Sequence, residues 1–200
     1  MSYDSVNAVV GWFNFVPGII GLLLAAPLIL ELEQRTYRLA WTQSVSRERW
    51  LLASLGMALL GVVFVSLLLT GLLTWFHSPI DRVDGNSGRL RESFGFEGVL
   101  PLAYTLYAFA LASAAGVLSR KLLIAIPVSL VGFLVTRLTL EPMVRPGVQF
   151  GGSDGPAEQL IGASDVQRFW TYQAIEGAIF LCMAVMLLAL TVWVIRRQFN

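Results

Sequence analysis

The chain has 200 residues, 56% of them hydrophobic and 14% charged, with a mean hydropathy of +0.69. That balance is too apolar for a soluble domain of this size and is that of an integral membrane protein. A formal net charge of +1 without a basic face excludes a nucleic-acid binder. A single Cys182 and a single His77 exclude a disulfide framework, a cysteine metal site and histidine-based metal or acid–base chemistry within one chain.

Charge-free runs at 5–30, 51–76, 98–119 and 177–195, and a run at 122–140 broken only by Arg137, meet the roughly 20 residues needed to cross hydrocarbon. Five spans are therefore expected, at 8–30, 51–76, 99–119, 122–140 and 171–195, in a single transmembrane domain. The first begins near Trp12, Phe13 and Phe15, aromatic residues suited to a membrane interface. It lacks the basic start of a signal peptide and reads as a permanent span. Pro27 removes one amide hydrogen shortly before Glu31, which marks either a gate element or tolerant packing.

The second span, at 26 residues, would be about 39 Å of helix for a core of roughly 30 Å, and so tilts or starts at the interface. An outer loop is expected at 77–98, with turns near Asp84 to Asn86. The third span places Ala108, Ala112 and Gly116 on one face, a spacing that lets two helix backbones approach closely. Arg120 and Lys121 then form a tight turn into the fourth span. A second outer loop at 141–170, rich in Gly and Pro, is expected to carry a short surface helix near 157–168 before the aromatic anchor Phe169, Trp170 and Tyr172.

Orientation follows from the basic residues in the connectors. With 31–50 cytoplasmic, eight lie inside (Arg35, Arg38, Arg47, Arg49, Arg120, Lys121, Arg196 and Arg197) against five outside, so the N-terminus is expected outside and the C-terminus in the cytoplasm. Arg137 and Glu176 are the costly residues, since a charge within the bilayer normally faces protein or water. Each falls near the outer end of its span, so they are expected to form an intramembrane ion pair bracing two helices; a substrate-pathway role is the alternative.

The stretch ELEQRTYRLAWTQSVSRERW, at 31–50, is the one long polar and aromatic interval between two spans. On a helix it would be an amphipathic lever at the membrane surface; otherwise it is an ordinary cytoplasmic loop. Its Glu33, Thr36, Val45, Ser46 and Arg47 resemble a pattern that follows the second span in permease subunits of type-2 ATP-binding-cassette exporters. RLAWTQ, with the Ser, Arg and Trp that follow, is similar to one bacterial subgroup of that family. PLAYTLYAFAL, RLTLEPMVRP and RFWTYQAIEGAIF extend the resemblance over most of the chain.

The resemblance implies an all-α fold, with this chain lacking the first of six spans. It implies that Glu33, Thr36, Arg38, Leu39, Trp41, Val45, Ser46, Arg47 and Trp50 lie in a coupling segment docked on an ATPase subunit. ATP and Mg would bind that partner, since this chain has no phosphate-cradling Gly-rich loop followed by Lys and Ser or Thr, and no cofactor is expected here. The other implied partners are a second copy or a related permease subunit and the lipid of a bacterial cytoplasmic membrane. The expected role is export of a hydrophobic or amphipathic compound, with a non-transporting scaffold or accessory subunit as the alternative. With one acid at bilayer depth, an intramembrane enzyme is disfavoured.

Overall fold

Five helices make up the computed structural model, which describes residues 15–34, 47–84, 98–144 and 163–199. They are α1 (Val16–Gln34), α2 (Arg47–Asp84), α3 (Leu100–Ser119), α4 (Leu122–Val144) and α5 (Ala163–Phe199), with no strand among the described residues. Each is long and apolar enough to cross a membrane. The all-α architecture with five candidate spans is thus as the sequence predicts.

Helix α3 occupies the centre and touches the other four. Its span is 67% buried, against 17% for α2 and 22% for both α4 and α5. The residue types explain this. Pro101 in the first turn costs no hydrogen bond, because amides there have no intrahelical acceptor. The small residues Ala103, Ala108, Ala110, Ala112 and Ala114 then leave room for neighbouring helices on several sides. Arg120, in the left-handed region at φ 52°, ends the helix and lets α4 begin two residues later.

Glycine sets the approach of α1 to α3. A Cβ at Gly21 would stand 2.5 Å from the Thr105 carbonyl oxygen and 2.7 Å from the Phe109 nitrogen, so α1 lies directly on the α3 backbone. One end further on, Gly116 receives the Ile29 side chain. The expected small-residue face is therefore a packed one, with Ala108 and Ala112 buried beside it.

These contacts fix directions. Gly21 meets 105–109 and Ile29 meets Gly116, so α1 and α3 run parallel. Tyr104 and Tyr107 meet Glu176 and Phe180, so α5 is parallel as well. Pairing of Tyr107 with Thr136, and of Ser54 with Glu31, makes α4 and α2 antiparallel to them. The C-terminal end of α1, the start of α2, the α3–α4 turn and the end of α5 consequently share one side of the bundle.

Large apolar side chains cover the outside, among them Met57, Phe64 and Leu67 on α2, Leu123, Val131 and Leu138 on α4, and Val185 and Met186 on α5. A hydrocarbon solvent favours this arrangement. Five hydroxyls in the spans are satisfied locally: Thr105, Ser119, Ser129, Thr136 and Thr191 each donate to the carbonyl four residues back.

Several helix ends differ from the sequence reading. Residues Glu31–Gln34, assigned to the connector, complete the last turn of α1, and Arg47–Trp50 form the first turn of α2. Helix α2 continues past Pro79 through Asp84 into the expected loop at 77–98, and the glycine-containing stretch follows only after Asp84. Helix α5 starts at Ala163 and runs unbroken through the aromatic anchor, since neither Gly nor Pro lies between Ala163 and Glu176. Residues 8–14 and 157–162 lie outside the described residues.

Candidate functional site

Two polar regions stand out, one toward each end of the bundle. Toward the Leu100 end, three helices contribute to one cluster. Tyr104 and Tyr107 lie three residues apart on one face of α3, Gln173 and Glu176 three apart on α5, and Thr136 and Arg137 come from α4. All but Thr136 are buried, with Tyr104 at 0%, Glu176 at 1% and Arg137 at 4% exposure.

Tyr104 is the residue the others surround. Its hydroxyl donates to Glu176 Oε1, and the Arg137 guanidinium sits 4.4 Å from its ring centroid. Phe180 meets the ring edge-on at 4.9 Å, and Phe133 does so at 6.4 Å. Beside it, Tyr107 and Thr136 share a hydrogen bond of 2.8 Å. A cation over an aromatic face contributes about 2 kcal/mol when desolvated. A guanidinium and a carboxylate held around one aromatic residue leave the cluster close to neutral, which lowers the cost of burying either charge. The structure thus places Arg137 and Glu176 in one cluster with Tyr104 between α4 and α5.

At the other end, the last turn of α1 reaches two neighbours. Glu33 Oε2 accepts the Leu122 backbone N–H at 2.9 Å, and Ser54 Oγ donates to Glu31 Oε2 at 3.3 Å. Leu122 opens α4, where amides lack intrahelical acceptors, and a carboxylate there also meets the positive end of the helix dipole. Such a contact at an exposed site contributes about 0.3–1 kcal/mol. Nearby, Arg197 stacks on Trp193 at 4.3 Å in the last turns of α5.

Of the residues assigned to ATPase coupling, Glu33 is in the last turn of α1, while Arg47 and Trp50 open α2. Thr36, Arg38, Leu39, Trp41, Val45 and Ser46 lie outside the described residues. Sequence reasoning missed Tyr104, Gln173 and the Leu122 amide. The signal for the first two was present, since polar residues three apart on apolar helices share a face. Among the described residues no cluster of three His, Cys, Asp or Glu side chains could hold a metal ion.

Residues 1–145 match the family model described as ABC-2 membrane transporter related. The chain belongs to that family. No curated protein and no solved structure matches it. The chain is accordingly an ABC-2 type permease, a multi-pass membrane protein with a transporter role, and the family implies association with an ATPase subunit. The matched segment takes in α1 to α4, with Glu33, Tyr104 and Arg137, while α5 with Glu176 follows it.

Proposed function

We propose that this ABC-2 permease is the transmembrane subunit of an ATP-driven exporter. It passes a hydrophobic or amphipathic compound outward across a bacterial cytoplasmic membrane while a separate subunit binds Mg and ATP and hydrolyses the nucleotide. The chain pairs with a second copy or a related permease. Its 31–50 segment faces the cytoplasm and meets the ATPase through Thr36, Arg38, Leu39, Trp41, Val45, Ser46, Arg47 and Trp50, with Glu33 at its flank, the N-terminus outside and the C-terminus inside.

One observation supports this reading above the others: the flank of the 31–50 segment is tied to the bundle. Glu31 holds α2 through Ser54 and Glu33 holds the start of α4, while Ile29 fills the niche at Gly116 on α3. A force applied to the segment therefore reaches three helices at one end. Purification of the membrane complex with its ATPase tests the reading. Arg38→Glu or Arg47→Glu should lower ATP turnover, whereas unchanged hydrolysis would favour a non-transporting scaffold. A cysteine at Gln43, in a Cys182→Ser background, should resist a membrane-impermeant thiol reagent in intact cells; labelling from outside would remove any contact with a cytoplasmic ATPase.

A further inference from the structure

We infer that Glu33 acts inside the permease, handing movement of the 31–50 segment to α4, and is not a grip on the ATPase surface. This inference rests on the exporter reading. The family resemblance alone places Glu33 among ATPase-docking residues, yet its carboxylate is already engaged with the Leu122 N–H, 89 positions along the chain. Leu122 is the first residue of α4, so its amide has no acceptor within the helix. The acceptor comes instead from the final turn of α1, next to the segment that meets the motor.

The surroundings make this contact a transmitting one. Behind Glu33, Leu28, Ile29 and Leu32 are buried with Val117 of α3 and Ala125 of α4 in one apolar cluster, and Leu122 packs against it. The ends of α1 and α3 and the start of α4 thus meet around one rim. Packed side chains resist sliding, so a shift of the last turn of α1 moves the first turn of α4 with it. Glu33 is a positioning residue here, working through a backbone amide and touching no substrate. Glu31 makes the corresponding contact to α2 through Ser54.

Three variants of the complete chain test this, purified with whatever ATPase accompanies the wild type: Glu33→Ala, Glu33→Gln and Leu122→Pro. Proline is tolerated at the first helical position; it removes the donated hydrogen together with the leucine side chain that packs on the cluster. In Glu33→Ala the Leu122 amide should exchange with deuterium about two- to fivefold faster, the factor that corresponds to about 0.3–1 kcal/mol. The ATPase should stay bound at the wild-type ratio while ATP turnover falls. Glu33→Gln keeps an acceptor oxygen and should exchange nearer to wild type. Leu122→Pro should match Glu33→Ala in turnover, and the double variant should fall no lower than either single one.

Loss of the ATPase from both Glu33 variants, with exchange at Leu122 unchanged, would overturn the inference. So would wild-type turnover in Leu122→Pro beside low turnover in Glu33→Ala. If Leu122→Pro does not insert, the contrast between Ala and Gln at Glu33 decides. A wild-type chain that brings down no ATPase defeats the exporter reading instead, and the exchange measurement then still reports on the Glu33–Leu122 contact.

Discussion

Tyr104 donates its hydroxyl hydrogen to Glu176 while the Arg137 guanidinium lies against the face of the same ring. One side chain on the central helix therefore addresses the two charges buried on α4 and α5. Hydroxyl and ring serve different partners, and substitution can separate them.

Tyr104→Phe keeps the ring under Arg137 and removes one donor from the Glu176 carboxylate. A hydrogen bond to a charged group contributes about 1.5–3 kcal/mol, so the variant should lose that much stability in a detergent unfolding titration. Tyr107→Phe should cost less, because the Thr136 hydroxyl it leaves already donates to the Gly132 carbonyl at 2.8 Å. Tyr104→Leu should be worse than Tyr104→Phe, as it also gives up the ring. Equal losses for Tyr104→Phe and Tyr107→Phe would mean that Glu176 does not depend on Tyr104.

Arg137→Met and Glu176→Leu each leave the opposite charge buried, at 4% and 1% exposure in the intact chain. Removal of one partner of a buried charge pair costs about 3–5 kcal/mol, whereas an apolar replacement of both is often close to neutral. The double variant should therefore accumulate in the membrane better than either single one. Strictly additive losses would show that the two charges are stabilised independently.

The long apolar runs made the five spans legible, because the length of hydrocarbon to be crossed is a fixed physical requirement. The face of Ala108, Ala112 and Gly116 was legible for a similar reason: closely approaching backbones need small residues. Helix ends were harder to read. Nothing in the polarity of His77–Asp84 distinguishes a loop from a helix that runs past the span, and the helix continues past Pro79. The charges Arg137 and Glu176 announced themselves by their cost, but Tyr104 did not, since tyrosine is cheap in an apolar helix until its partner is known. The contact between Glu33 and the Leu122 amide was not legible, because a sequence cannot show that groups 89 positions apart are neighbours.

Gly21 should tolerate a side chain less well than Gly116. An added Cβ at Gly21 meets main-chain atoms of α3, which can yield only if the helices separate. At Gly116 it meets only side-chain atoms of the buried Ile29, which yield more easily than main chain although the residue is β-branched. Gly21→Ala is expected to cost more than Gly116→Ala by about 1–3 kcal/mol, the usual range for overpacking. Ile29→Ala, which removes every atom the new Cβ would meet at Gly116, should relieve the clash of Gly116→Ala when compared with Ile29→Ala alone, and should do nothing for Gly21→Ala. Relief of both by Ile29→Ala would contradict the backbone contact at Gly21.

Gly98, just before α3, is constrained twice. Its φ of +70° is in the left-handed region, and a Cβ there would collide with the Gln173 side chain of α5. The first constraint costs a non-glycine residue about 1–2 kcal/mol and the second adds to it. Gly98→Ala should therefore destabilise the packing of α3 on α5, and Gln173→Ala should restore only part of the loss, because removing the neighbour leaves the backbone strain in place. The measurement is the unfolding midpoint of the two single variants and the double variant. Full restoration would assign the whole effect to the collision, and no restoration would assign it to the dihedral angle alone.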